Sequence, residues 1–325
     1  MKVNLKSLLI SAGLLALFIA LGTLPLFLDD FMLTICVFVG INVIIVFGLS
    51  LLMGYAGQIS IGHAGLYGLG AYTSAIISTR LHVNPFFTIL AGALVAGAVA
   101  YLIGLPALRL RGHYLAMATL GAGIIIQISF SEFAGLTGGP SGISMIPPFN
   151  IGKFIFDQTS SFFYLVLAAV ILTLWLSLNI VRSQKGRALR AMHQNETAAA
   201  SVGIDIERQK LFIFTLSGVF AGLAGGLYAH YVTYVSPDTF GISLSILLVT
   251  MVVIGGAENL PAAALGAVLV TIVSEYFRQY QDWSLFLFGM TLVLVIIFAP
   301  RGLFVELAVL GKKVCGKAVS KYGAA

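Results

Sequence analysis

The sequence predicts an all-α polytopic membrane protein, a bundle of about ten transmembrane helices. Of its 325 residues, 59% are hydrophobic and only 9% are charged, and the mean hydropathy is +1.02. A soluble domain carries about a quarter charged residues. The apolar runs approach ~20 residues, the length of a spanning helix, whereas strands of a membrane barrel alternate over about 10. Composition therefore excludes a soluble globule, a disordered chain and a disulfide-stapled secreted domain.

Ten apolar runs are candidate spans, and eight to ten of them would cross the membrane because the eighth is short and the third is interrupted by glycine. They cover residues 8–28, 31–53, 60–79, 85–107, 113–132, 162–181, 211–234, 242–257, 260–277 and 284–300. The glycines predict a broken or re-entrant helix in the third run. The first run follows Lys2 and Lys6 as a secretory signal would, but it is long enough to span, and we expect it to be retained. The spans form a single domain, 1–300, followed by a basic cytoplasmic tail, 301–325.

The distribution of basic residues predicts the orientation. With ten spans and a cytoplasmic N-terminus, 15 of the 18 Lys and Arg residues lie on the cytoplasmic side, as the positive-inside rule requires. Both termini are then cytoplasmic. The cytoplasmic loop 182–210 carries six basic residues, whereas the external loop 133–161, of equal length, is mostly apolar. We expect the external loop to pack back onto the bundle or to face a docked partner.

Motifs for catalysis and metal binding are absent from the sequence. It contains no P-loop, no zinc-protease motif and no Cys/His cluster, and Cys36 and Cys315 lie far apart. Ionisable residues in the spans, such as His63 and Glu132, are scattered, although proton relays need them grouped. No basic stretch is interleaved with aromatic residues as a nucleic-acid groove requires. The sequence therefore predicts no metal, no cofactor and no nucleic-acid partner, and it disfavours a proton pump or a membrane-embedded enzyme.

Residues 54–73 combine glycines with neutral hydrogen-bonding side chains. Each glycine weakens a helix by roughly 1 kcal/mol relative to alanine. Interrupted helices in transporters occur where free backbone lines a substrate cavity. The polar side chains predicted to line a substrate path are Gln58, Ser60, His63, Tyr72 and Thr73. The alternative is that they only join neighbouring helices.

Two stripes of small residues recur at four-residue spacing. One comprises Gly92, Ala96, Ala100 and Gly104, and the other comprises Gly218, Gly222 and Gly226. Small residues at this period let helix backbones approach closely in lipid. The stripes therefore predict a compact bundle, with no wide aqueous pore.

Seven blocks follow one another in order between residues 36 and 303. They are GQISIGHAG (57–65), GAYT (70–73), LPALRLRGHYLAMATLG (105–121), LTGGPSGI (136–143), GRALR (186–190), AAASVGID (198–205) and YVSPD (234–238). Together they resemble the permease family of branched-chain amino-acid ABC importers, specifically its LivM-type subunit. Within and beside these blocks the resemblance adds Thr119, Gln127, Gly138 and Gly139 to the candidate substrate path.

The resemblance also gives the cytoplasmic loop a role, because ABC importers dock a short helix of this kind on their ATPase subunit. Residues 186–203 are predicted to form it, with Leu189, Met192, Ala199 and Val202 roughly on one face and Gly203 as its C-terminal stop. The residues expected to couple to the ATPase are Arg187, Arg190, Glu196, Ala198, Ala199 and Gly203. The usual E-A-A-x-x-x-G pattern is altered, since Thr197 stands first and Glu196 precedes it. The alternative is a solvated basic loop.

The resemblance implies a non-catalytic permease subunit of an ATP-driven importer in the plasma or inner membrane of a prokaryote. Its expected partners are a homologous second permease, two cytoplasmic ATP-binding subunits, an external substrate-binding protein and membrane lipid. The expected cargo is a branched-chain or other small amino acid. Urea or a short amide is an alternative, because Gln127 stands where relatives often have an acidic residue and Glu258 interrupts a usually glycine-rich turn. Alternatives of other classes are a stand-alone channel, an ion-coupled carrier, and an enzyme that uses His63 or Glu132.

Overall fold

The computed structural model describes residues 22–110, 112–151, 154–156, 158–277, 286 and 289–290, and it is almost entirely helical. The α-helices are α1 (Asp30–Ser50), α2 (His63–Leu81), α3 (Pro85–Ala107), α4 (His113–Glu132), α5 (Ala134–Thr137), α6 (Thr159–Arg182), α7 (Gln184–Gln194), α8 (Glu196–Ser201), α9 (Ile206–Val232), α10 (Ile242–Gly255) and α11 (Leu260–Phe277). A π-helical turn, Leu51–Tyr55, continues α1. Short 3₁₀ turns occur at Leu24–Leu26, Gly139–Ser141 and Pro237–Phe240. Two strands of two residues each, β1 (Asn150–Ile151) and β2 (Phe154–Ile155), pair in antiparallel orientation.

Helix lengths agree with a polytopic membrane protein. Among the described residues, five helices are long and apolar enough to cross a membrane, namely Asp30–Tyr55, Pro85–Ala107, His113–Glu132, Thr159–Arg182 and Ile206–Val232. The helices α10 and α11 are apolar but shorter. Every predicted span from the second to the ninth coincides with a helix. Most of the first and tenth predicted spans, and the whole of the predicted basic tail, lie outside the described residues.

The predicted break inside the third span is not confirmed. Helix α2 is continuous from His63 to Leu81, and irregular backbone precedes it at residues 56–62. Its glycines lie where other helices approach most closely. A methyl group on Gly70 would overlap the backbone of Gly222 in α9, and one on Gly92 of α3 would come 2.6 Å from the Gly70 carbonyl oxygen. The close contacts that these glycines permit compensate for their low helix propensity.

The two small-residue stripes face each other, and the close packing that their spacing predicts is present. A methyl group on Gly218 would overlap the Cβ of Ala100, and one on Gly222 would lie 2.5 Å from the Cβ of Ala96. Helices α2, α3 and α9 therefore form the tightly packed centre of the bundle. Helix α4 is less covered, and its outer side chains Tyr114, Met117, Ile125 and Ile128 are exposed.

The bundle has two distinct ends. We call the end that carries residues 182–210 the basic end, and the end that carries residues 133–158 the opposite end. At the opposite end the connecting chain packs back onto the bundle, as expected, because Ile146 and Phe149 are buried. Its backbone pairs with the segment after α9, where the Ile143 nitrogen donates to the Val235 carbonyl at 2.9 Å and the Val235 nitrogen donates back at 3.0 Å.

Candidate functional site

A buried polar cluster lies at the start of α2, and we call Ser60, His63, Thr119, Ser217 and Ser245 the His63 cluster. The Nδ1 atom of His63 is 2.9 Å from Ser60 Oγ, and its Nε2 atom is 3.0 Å from Ser217 Oγ. The Ser217 hydroxyl donates to the Phe214 carbonyl at 2.8 Å, so it accepts from the imidazole Nε2–H. Ser60 then donates to Nδ1. This arrangement holds a neutral imidazole between the irregular segment and α9.

The same cluster ties the irregular segment to α4 and the start of α2 to α10. The Ile61 nitrogen donates to Thr119 Oγ1 at 3.1 Å, and the Ala64 nitrogen donates to Ser245 Oγ at 3.2 Å. The first amide groups of a helix lack partners within that helix, and Ser245 supplies one for Ala64. A methyl group on Gly62 would overlap the Thr119 carbonyl oxygen, so the segment approaches α4 as closely as glycine allows.

The cluster is closed to an amino acid in this conformation. Two cavities flank it, one lined by residues that include Gln127 and Ser245, the other by residues that include Ser60 and Thr119. Each holds about 10 Å³, which is room for one water molecule. Neither cavity has room for a larger solute such as an amino acid. Gln58 is also buried, and its Nε2 donates to the Ala56 carbonyl at 3.1 Å.

Aromatic side chains surround the middle of α2. Tyr72 stacks on Phe130, with ring centroids 4.2 Å apart, and Phe240 packs edge-on against Tyr72 at 6.0 Å. The Tyr72 hydroxyl is buried and has no hydrogen-bond partner among the described residues. An unsatisfied buried hydroxyl costs about 1–3 kcal/mol. A polar ligand that forms a hydrogen bond with the Tyr72 hydroxyl therefore recovers this free energy. The neighbouring Thr73 is half-buried.

Gly138 and Gly139 lie at the opposite end, away from the His63 cluster. Both have positive φ, 78° and 62°, which favours glycine. The Thr137 hydroxyl donates to the Phe130 carbonyl at 2.6 Å, so this turn is attached to the end of α4. The structure therefore brings Ser60, His63 and Thr119 together and leaves the two glycines in a separate loop.

A second histidine cluster was not predicted from the sequence. His230 Nδ1 donates to the Pro147 carbonyl at 2.7 Å, because a carbonyl oxygen only accepts. Its Nε2 lies 2.9 Å from Ser74 Oγ and 3.0 Å from Thr88 Oγ1. These contacts join α2, α3, α9 and the chain at the opposite end. Ser217 and Ser245, like Ser74 and Thr88, are far from their partners in sequence, and no local spacing indicates them.

The predicted coupling helix is two helices, α7 and α8. Asn195 separates them, and its Oδ1 accepts from the Ala198 nitrogen at 3.0 Å as the N-cap of α8. The buried face comprises Leu189, Met192 and Ala199. The prediction for Val202 is wrong, because the chain turns after Ser201 and leaves Val202 76% exposed. Gly203 ends the helix as predicted, with φ at +85°.

The charged residues of this region divide into exposed and paired groups. Arg187, Arg190 and Ala198 are exposed. Glu196 instead forms an ion pair with Lys210 of α9, with Oε1 and Nζ 2.5 Å apart. The Lys210 side chain is only 4% exposed, which is unusual for lysine. Sequence reasoning overlooked Lys210, although a lysine at the border of an apolar run signals such a pairing.

Replacing Ser217 with alanine is expected to destabilise the protein by about 2 kcal/mol, because the buried His63 Nε2–H loses its acceptor. Thermal unfolding of the purified protein would measure this loss. Ser129→Ala is the matched control, since the Ser129 hydroxyl bonds only the Ile125 carbonyl of its own helix. Equal melting temperatures for the two variants would show that the His63–Ser217 bond contributes nothing.

Helices long enough to span a membrane pack around neutral polar clusters, as in a polytopic membrane protein, and comparison with known proteins identifies the family. The family model described as "Branched-chain amino acid transport system / permease component" matches residues 31–296. The chain belongs to this family. It is similar to the high-affinity branched-chain amino acid transport system permease protein LivM of Escherichia coli K12, with 35% identity over 286 residues, covering 81% of this chain and 67% of the relative.

Other relatives are permeases of the same kind. LivM of Salmonella typhimurium is likewise 35% identical over 286 residues, covering 81% of this chain and 67% of the relative. BraD of Pseudomonas aeruginosa, also named as a high-affinity branched-chain amino acid permease, is 27% identical over 282 residues, covering 80% of this chain and 90% of the relative. No solved structure matches the chain. The family and the helices together make it a multi-pass membrane permease.

Proposed function

We propose that this chain is the membrane-spanning, non-catalytic subunit of an ATP-driven importer of branched-chain amino acids. The observation that carries the proposal is the family match over residues 31–296, with relatives named for this transport. Relatives named LivH match the same chain at 24% identity, which supports pairing with a homologous permease. Two cytoplasmic ATP-binding subunits and an external substrate-binding protein complete the assembly. The basic end and both termini then face the cytoplasm.

The coupling step uses the two faces of α7 and α8. Arg187, Arg190 and Ala198 are exposed to the ATPase, while the apolar face packs against the bundle. The Glu196–Lys210 ion pair attaches α8 to the start of α9. Closure of the ATPases displaces α7 and α8, and the displacement reaches α9 through this pair.

The displacement then opens the path next to α2. Helix α9 is bonded to α2 through Ser217 and His63, so the two move together. Their movement away from α4 and α10 breaks the bonds to Thr119 and Ser245. Their separation enlarges the two small cavities beside Thr119 and Gln127. A zwitterionic amino acid passes neutral side chains there, with the Tyr72 hydroxyl as a free polar contact. This change between closed and open states is alternating access.

Uptake measurements test the proposal. Cells that express the complete importer should accumulate labelled leucine, isoleucine and valine, and cells that lack only the ATPases should not. Transport that persists without the ATPases would instead establish a stand-alone channel or an ion-coupled carrier. Titration of the partner binding protein with leucine, other amino acids and urea fixes the substrate, and binding of urea alone would establish the amide alternative.

Arg190→Glu is expected to lower uptake and co-purification of the ATPase about tenfold, the factor that a loss of ~1.4 kcal/mol in contact energy gives. Membrane insertion should be unchanged. Arg109→Glu is the matched control, because Arg109 is exposed at the same end and the change in charge is identical. If both variants retain the ATPase equally, α7 is not the docking helix.

A further inference from the structure

A cavity of about 370 Å³ opens at the basic end, between α7 and the bundle. Its lining residues are Gly54, Tyr55, Arg190, His193, Gln194 and Glu258. This volume is at the lower limit of small-molecule sites, which hold about 300–1,000 Å³. It is far larger than the two cavities beside the His63 cluster, so it admits a small metabolite without rearrangement.

The walls of the cavity carry opposite charges. Arg190 comes from α7, and Glu258 comes from the turn between α10 and α11. Both charged residues line the cavity together with Tyr55. Tyr55 and Gln194 add neutral hydrogen-bonding groups. A guanidinium recognises a carboxylate, and a carboxylate recognises an ammonium group.

The floor and walls are closely packed and already formed. A methyl group on Gly54 would overlap the Ala257 carbonyl oxygen, and one on Gly57 would come 2.7 Å from the His193 ring. Ser50 of α1 also donates to the Ala257 carbonyl at 2.6 Å. The helix that carries Arg190 and the turn that carries Glu258 therefore both contact the end of α1 and the segment that follows it.

We propose that this cavity binds a free zwitterionic amino acid from the cytoplasm, with its carboxylate on Arg190 and its ammonium group on Glu258. The proposal rests on the proposed function, which places the basic end in the cytoplasm. The bound molecule joins α7 to the turn between α10 and α11. It also occupies Arg190, which the ATPase contact requires. Binding to one state lowers the population of the others, so accumulated amino acid slows its own import.

Equilibrium binding provides the first test. The assembled transporter in detergent, without the binding protein, is titrated with labelled leucine. Glu258→Gln should weaken binding at least about tenfold, because it removes a charge-assisted bond. Glu207→Gln, an exposed glutamate at the same end, is the control and should bind as wild type does. Leucinamide and 4-methylpentanoate, which each lack one charge, should compete poorly.

Transport into proteoliposomes provides the second test. Internal leucine should lower the initial rate of ATP-driven uptake in the wild type and in Glu207→Gln, but not in Glu258→Gln. Equal leucine binding by Glu258→Gln and the wild type, or equal inhibition of both, would overturn the proposal. Vesicles without internal leucine test the proposed function separately, since failure of uptake there contradicts it while the binding measurement still decides the cavity.

Discussion

Replacing Gly70 with alanine is expected to destabilise the bundle by about 3 kcal/mol and to abolish most of the folded protein. The added methyl group overlaps the backbone of Gly222, which no side-chain rotation can move away. Alanine favours a helix over glycine by about 1 kcal/mol, but overpacking of a helix crossing costs more. The melting temperature and the monodisperse fraction of purified protein measure the effect.

Gly121→Ala is the matched control for this prediction. Gly121 lies in α4, has helical backbone, and a methyl group there meets no atom within 4 Å. It gains the same helix propensity without a clash and should be as stable as the wild type. If Gly70→Ala proves equally stable, the close approach of α2 and α9 is wrong.

Glu196→Gln is expected to cost about 3 kcal/mol and to reduce uptake strongly, because it leaves the buried Lys210 ammonium without its anion. Lys210→Met should cost less, since Glu196 is 26% exposed and remains hydrated. The double variant removes both charges and should be more stable than Glu196→Gln alone. Thermal unfolding and leucine uptake give the ranking.

The exposed Glu207→Gln controls for the loss of a negative charge at this end of the bundle. Its uptake and stability should equal those of the wild type. A double variant as unstable as Glu196→Gln would contradict the assignment, because the defect would then arise from lost packing. Separate loss of uptake in a fully stable Glu196→Gln protein would assign the pair to coupling alone.

Features encoded by local pattern were predictable from the sequence. The lengths of the apolar runs located helices α1 to α4, α6 and α9 to α11. The four-residue spacing of small residues identified the faces of α3 and α9 that pack closely. Gly203 was recognisable as a helix stop because only its backbone requirement matters. Each of these signals lies within one or two helical turns.

Features that depend on distant partners were not predictable. The residues that satisfy His63 include Ser217, 154 positions away, and the chain contains many serines in comparable apolar runs. The continuity of α2 was also missed, because glycine weakens an isolated helix while Gly92 and Gly222 become its neighbours only in the fold. Val202 was assigned to the wrong face because α8 ends at Ser201 and the chain turns there.

The two histidine clusters determine how α2 and α9 move. Ser217 and His230 lie 13 residues apart on α9, a separation of about 20 Å along a helix. Each is bonded to α2, and glycine contacts lie between them, so neither helix slides or rotates against the other without breaking both bonds. The pair therefore forms one unit that connects Lys210 at the basic end with the Pro147 chain at the opposite end. We expect a tilt imposed at the basic end to move the opposite end as well.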